Sequence, residues 1–277
     1  MFVAISIVIS LSIVLSLWFY AKKSNNGFER KYQLVMDLRS VLILCRQHRS
    51  LTHNAKVHQQ LDEKMVDAVE HRLLDIVQHL VVTAQFENKP LYRVLEIKVN
   101  AMLKQWRDQS VAKNQMVHGK VIRHCVYLLD DVMLAWLAQA GRDDLYEKYH
   151  MNWQAVLDSM ETLTQLRISI QDCDTLTPNS EERIRYYCGS VINKVNRLNA
   201  MNREVATTPQ SMIALSRLDD ISHGYATLTN TNSLYSLSSE VSSAISDVYD
   251  EMLKSFAEEL YQPLDTPSPV TSESLQA

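Results

Sequence analysis

Apolar residues recur along this chain at steps of three and four over most of its length, the spacing that gathers them on one face of an α-helix. From Tyr32 to about Gln60 the seam is Val35, Leu38, Leu42 and Cys45, flanked by Leu34 and Val41. A second run goes from Leu61 to Ala84 through Met65, Val69, Ile76 and Leu80, and breaks near Asn88-Lys89-Pro90. A third covers about Leu91 to Val111; Val121, Cys125, Leu128, Val132 and Trp136 mark a fourth, which Gly141 stops. Asp143 and Asp144 open a fifth, with the seam Trp153, Val156, Met160, Leu163 and Ile170, ending near Asp174. In Thr177-Pro178-Asn179-Ser180-Glu181-Glu182, Asn179 and Glu182 have capping-box spacing, and a sixth helix follows through Ile184, Cys188, Val191, Val195 and Leu198. A short helix from Pro209 to Leu218 and a last one from Ser233 to Leu260 complete the series. No segment alternates with period two, so the expected fold is all-α, an up-and-down helical bundle.

The first residues break this pattern. Phe2 to Tyr20 carry no ionisable side chain, and as a helix they reach roughly 28 Å, enough to cross a hydrocarbon core. Trp18 and Tyr20 stand where an interfacial aromatic belt would, and Lys22, Lys23, Arg30 and Lys31 follow with no basic residue before them. A cleaved signal peptide would need a basic start, a shorter apolar core and a small-x-small cleavage site, and the chain has none of these. The expectation is a single-pass anchor in an inner (cytoplasmic) membrane, with the bulk of the chain in the cytoplasm. Residues 1–21 form the anchor, 22–32 a basic juxtamembrane segment, 33–205 the bundle, 206–261 a Ser/Thr-rich helical extension and 262–277 a disordered tail. Ser6 with Ser10, and Ser12 with Ser16, have the small-xxx-small spacing of close-packed membrane helices.

Composition narrows the function. With 46% apolar residues in 277, the chain can bury a real core. A net charge of -4 with acids and bases interleaved offers no field for nucleic acid. Cys45, Cys125, Cys173 and Cys188 form no C-x-x-C pair and read as free core thiols of a reducing compartment. Five glycines and six prolines are too few for many turns, in keeping with long helices.

No catalytic set stands out. The chain lacks G-x-G-x-x-G, a P-loop, G-x-S-x-G and H-E-x-x-H. His48, His53 and His58 are five residues apart, do not converge on one metal, and read as solvated or boundary residues. Asp130-Asp131, Asp143-Asp144 and Asp219-Asp220 suit helix N-termini and solvated faces better than a metal site. Hence no enzyme, metal or cofactor is expected. Two arginines interrupt apolar seams at core positions: Arg49 extends Val35, Leu38, Leu42, Cys45 by one helical step, and Arg167 falls between Leu163 and Ile170. Each guanidinium then needs an acidic partner, an escape of its long stem to the bundle edge, or a small anion held between the two forks.

At these arginines the chain resembles the bacterial nitrate- and nitrite-sensing (NIT) domain. The first-helix motif of that family, Leu-Gln-x-Glu-Arg-Gly-Leu-Ser, aligns with Cys45-Arg46-Gln47-His48-Arg49-Ser50-Leu51-Thr52; Arg49, Leu51 and Thr52 fit, whereas Arg46, His48 and Ser50 depart. A later Leu-x-x-Leu-Arg is matched by Leu163-Thr164-Gln165-Leu166-Arg167 with Met160 before it, then Arg185-Tyr186-Tyr187 and Val191-Ile192 in the same order. The resemblance covers about Gln33 to Asn202. It implies an up-down helical sensor whose Arg49 and Arg167 recognise nitrate or nitrite. Only about 75 residues follow Asn202, too few for an output enzyme, so action through a protein partner or homodimer is expected, with the Ser-rich last helix as the docking surface. The competing expectation is a ligand-free, membrane-anchored structural adaptor, in which Asp or Glu side chains already satisfy both arginines.

Overall fold

The computed structural model describes residues 2–171, 177–201, 209–228, 231–260, 264 and 269–271; before residue 27 it describes side chains only at 11–13 and 15. Among the described residues there are eight α-helices and no strand: α1 (Phe2–His58), α2 (Glu63–Thr83), α3 (Lys89–Gln105), α4 (Val111–Ala140), α5 (Asp143–Gln171), α6 (Pro178–Met201), α7 (Pro209–Ser222) and α8 (Thr231–Glu259). A 3₁₀ turn, Trp106–Asp108, links α3 to α4.

Two consecutive four-helix rings share a seam. α1 packs on α2 and α4, and α3 on α2 and α4, which closes the first ring. α5 packs on α6 and α8, and α7 on α6 and α8, which closes the second. α1 against α8, α4 against α5 and α4 against α8 join them. The apolar seams read from the sequence are the cores of these rings: Val35, Leu38, Leu42, Cys45, Cys125, Val156, Leu163, Ile170, Cys188 and Val195 are all buried. α2 alone buries Val66, Val69, Leu73, Val77 and Leu80. At roughly 2 kcal/mol for each side chain, this outweighs the ~1 kcal/mol of any single cap, so packing holds the helix in place.

Caps fix where the helices begin and end. The Asp62 carboxylate accepts from Met65 N (3.0 Å) at the start of α2, and Ser110 Oγ from Lys113 N (3.2 Å) at the start of α4. α4 ends in a Schellman motif: Gly141 is left-handed (φ 65), its N–H donates to Ala138 O, and Arg142 N donates to Leu137 O. At the start of α6 the reciprocal pair is Thr177 with Ser180, through Thr177 N to Ser180 Oγ (2.9 Å) and Ser180 N to Thr177 Oγ1 (3.4 Å). The cap therefore lies two residues before the Asn179 and Glu182 expected from spacing, because Pro178 takes the first helical position.

Three segments differ from expectation. α4 starts ten residues before its apolar seam, since Asn114, Gln115 and His118 occupy interior positions of its first turns. α8 is no peripheral extension: it buries Leu237, Val241, Ile245, Tyr249, Leu253 and Phe256 and completes the second ring. Its serines are compatible with burial because Ser238 donates to Tyr235 O (2.8 Å) and Ser246 to Ser242 O (2.8 Å), which leaves small, satisfied side chains at the packing face. In the expected disordered tail, Leu264 and Val270 are buried, and Val270 exchanges two hydrogen bonds with the Gln47 amide on α1 (2.6 and 3.0 Å).

α1 is a single unbroken helix from Phe2 to His58. Leu11, Ile13 and Leu15 are exposed on it. Among the described residues no helix is long and apolar enough to cross a membrane; the expected anchor, 1–21, has most of its side chains outside them. Cys45, Cys125 and Cys188 are buried free thiols, and Cys173 lies outside the described residues.

Candidate functional site

Where α1 crosses to the second ring it carries basic residues at seven-residue spacing, Arg39, Arg46 and His53, with Arg49 between the last two; burial, then His58 and Arg49, lower His53 and favour its neutral form. α8 runs opposite with Asp250, Asp247, Ser243 and Glu240. At one end the rows meet in a bidentate ion pair: Arg39 Nε to Asp250 Oδ1 is 2.6 Å and Arg39 Nη2 to Asp250 Oδ2 is 2.9 Å. Further along they stand apart. Arg46 feels the charges of Asp247 and Asp250 but has a buried Nε with no partner. Burial, partly offset by those carboxylates, lowers its guanidinium to about 10.

Arg49 is 2% exposed, and its Nε and Nη1 are buried without a hydrogen-bond partner. Burial, then the positive charges of Arg167 and Arg46, push it well below the ordinary arginine range. Among the described residues no carboxylate pairs with it. Instead it lines a cleft of about 520 Å³ between α1, α7 and α8, together with Arg46, Ser50, His53, Ser239 and Asp247. His53, also buried, contributes a further unpartnered nitrogen, Nε2.

Arg167 lies in the same polar region with a different solution. Its Nε donates to Ser238 Oγ (3.0 Å) and its Nη2 to Ser238 O (3.0 Å). Burial lowers it to about 10, with Tyr235 acting against the shift and Arg123 with it. The structure brings Arg49 and Arg167 within electrostatic reach, yet only Arg49 stands in the cleft wall. The two forks do not face each other across a shared space there. Arg167 backs the site with charge and leaves contact to Arg49, Arg46 and His53.

Behind these arginines, inside the first ring, runs a chain of hydrogen bonds. His118 Nδ1 meets Asn114 O (2.8 Å), His118 Nε2 meets His48 Nδ1 (2.8 Å), and His48 Nε2 meets Glu70 Oε1 (3.1 Å), which also accepts from Trp106 Nε1 (2.9 Å). Burial acts to raise the Glu70 carboxyl, but hydrogen bonds from His48 and Trp106 prevail and hold it below its usual range. Burial, His48, Arg49 and Arg167 push His118 well below the usual histidine range, against the Asn114 carbonyl. Thr52 Oγ1 accepts from Asn114 Nδ2 (2.9 Å) and joins this network to α1.

Sequence reasoning picked out Arg49 and Arg167 as buried arginines and treated His48 and His53 as solvated or boundary residues; both histidines are buried. It missed Arg39, Arg46, His118 and Ser238. The seven-residue repeat of Arg39, Arg46 and His53 on an otherwise apolar helix face was the available signal for the first two. Among the described residues no group of three His, Cys, Asp or Glu side chains could hold a metal. No protein-family model, curated protein or solved structure matches this chain.

Proposed function

We propose that the chain is a membrane-anchored, non-enzymatic sensor whose helical body responds to a small oxyanion, of the nitrate or nitrite class, taken up at Arg49. The observation that carries this is a guanidinium buried to 2% whose Nε and Nη1 have no acceptor, in the wall of a cleft that water can enter. A buried charge without a partner is very costly, and a planar oxyanion supplies both the countercharge and the acceptors that the protein withholds. Arg46 adds a second unpartnered Nε, and Arg167 strengthens the positive potential from behind. The likeness to nitrate- and nitrite-sensing domains rests on Arg49 and Arg167 and agrees with this chemistry. The anchor rests on the uncharged Phe2–Tyr20 segment, on the basic residues that follow it, and on the exposed Leu11, Ile13 and Leu15.

The alternative, a ligand-free adaptor, draws on Arg167, which Ser238 satisfies with no anion present. Thermal unfolding of the full chain in detergent, in nitrate, nitrite or chloride at equal ionic strength, separates the two. A sensor gains roughly 2.7 kcal/mol at a hundred times the dissociation constant, and Arg49→Ala abolishes the gain. Equal stability in all three salts leaves the adaptor. Insertion of the anchor is tested by alkaline extraction of membranes: release of the chain into the soluble fraction rules out a spanning segment.

A further inference from the structure

The cleft at Arg49 holds charges of both signs that do not pair with one another. Arg46 and Arg49 form its cationic part; Glu240 and Asp247, both exposed on α8, form its anionic part and, among the described residues, make no ion pair, although Arg46 and Asp247 feel each other's charge. Elsewhere along the same two helices, opposite charges do close on each other, as Arg39 and Asp250 show. The separation is therefore local to the cleft. Its volume, about 520 Å³, lies in the range of small-molecule sites and far exceeds a four-atom anion. Between the charged parts the wall is hydroxyl and amide: Ser236, Ser239, Ser243, Asn54 and Gln210. An inorganic oxyanion would satisfy Arg49 and leave two carboxylates and this polar wall unused.

We infer that the ligand of this cleft is a small zwitterion of the α-amino acid class with a short polar side chain, its carboxylate on Arg49 and Arg46 and its ammonium between Glu240 and Asp247. This rests on the anion site at Arg49 and adds to it the second charge of the ligand. The carboxylate meets the guanidinium groups of Arg49 and Arg46 where they line the cleft and supplies a countercharge at ion-pair distance, which these groups lack among the described residues. The ammonium, with three donors and no acceptor, matches two carboxylates that no cation reaches at ion-pair distance among the described residues. The serine hydroxyls and the Asn54 and Gln210 amides then face the remainder of the molecule.

Calorimetric titration of the full chain in detergent with serine, glycerate, ethanolamine and nitrate tests this, because the first three share a skeleton and differ in which charges they carry. Serine should bind, glycerate about tenfold or more weakly, and ethanolamine not at all, as expected when one charge-assisted hydrogen-bonding set is lost. The double variant Glu240→Gln with Asp247→Asn, at exposed positions and checked for an unchanged fold by circular dichroism, should erase the preference for serine over glycerate, with nitrate binding retained or tightened because two carboxylates near the anion site are neutralised. Glycerate binding as tightly as serine, or a serine response indifferent to the double variant, overturns the inference. Nitrate binding without serine binding overturns it and leaves the anion site standing; binding of none of the four removes both.

Discussion

Arg39 and Arg49 lie ten residues apart on one helix, both almost completely buried, at 1% and 2% exposure. Arg39 is gripped by both oxygens of Asp250. Arg49 has two N–H groups that donate to nothing. The chain thus contains, within one stretch of α1, the two uses of a buried guanidinium: as half of a closed internal pair, and as an open valence. A nearby arginine, Arg167, shows that the fold can also satisfy a buried guanidinium with neutral acceptors, a hydroxyl and a carbonyl of Ser238. Arg49 receives neither solution. Inability of the fold to pair a buried arginine does not explain its unfilled valence, since two others are satisfied within the same bundle.

The contrast breaks most forcefully at Asp250. Asp250→Ala takes the bidentate carboxylate from buried Arg39 and should cost about 3 kcal/mol in chemical denaturation, at the low end for broken buried pairs because Asp250 is itself partly exposed. Arg49→Met should move the other way, raising stability by about 2 kcal/mol through removal of an unpaired buried charge, while the nitrate response disappears. If that variant is strongly destabilised instead, Arg49 has a partner and the contrast is wrong. Ser238→Ala takes the hydroxyl acceptor from Arg167 Nε and should cost 1–2 kcal/mol, roughly, in the same assay. An indifferent result would mean that Arg167 is held by its carbonyl bond alone.

The smallest effect is that of pH. His118, depressed by burial and by His48, Arg49 and Arg167, gains its proton in the unfolded chain but not in the fold. Its contribution is complete above the ordinary histidine range and is lost as pH falls below about 6.5. His53 and His124 are lowered too and act in the same direction. Asp130, raised to about 6 chiefly by burial, opposes them as pH falls toward and through 6, so the His118 share is read as the difference between the unaltered chain and His118→Gln from pH 7.5 to 6. His118 should account for a loss of roughly 0.8 kcal/mol there. Saturating nitrate should reduce that difference slightly, because it offsets the arginine charges and leaves burial and His48 in place. A profile identical with and without nitrate would separate His118 from the Arg49 site.

Helices were legible because their interior seams are apolar: Val35, Leu38, Leu42 and Cys45, or Val156, Leu163 and Ile170, could face only inward. Legibility failed where the interior is polar. Asn114, Gln115 and His118 fill core positions of α4 by bonding to His48, Thr52 and His53, so the first ten residues of that helix had no apolar period to show. The serines of α8 read as surface because composition does not reveal that they bond to their own backbone. Arg49 and Arg167 could be found as interruptions of a seam; Arg39 could not be told from them, because its partner, Asp250, is more than two hundred residues away. Periodicity fixes a face within each helix and is silent on which helices adjoin, and the meeting of α1 with α8 is what makes the cleft.

α1 has no break between Phe2 and His58. Arg49 and the first residue of the helix are therefore ends of one rod, about 70 Å apart at 1.5 Å per residue. No loop or proline lies between them to absorb a displacement. A ligand that draws Arg49 toward α8 by one ångström, or turns it by a few degrees, delivers the same translation or torque at the far end. If Phe2–Tyr20 spans a membrane, as proposed, that far end lies in the bilayer, and the mechanical output of the site is directed there as well as into the helical body.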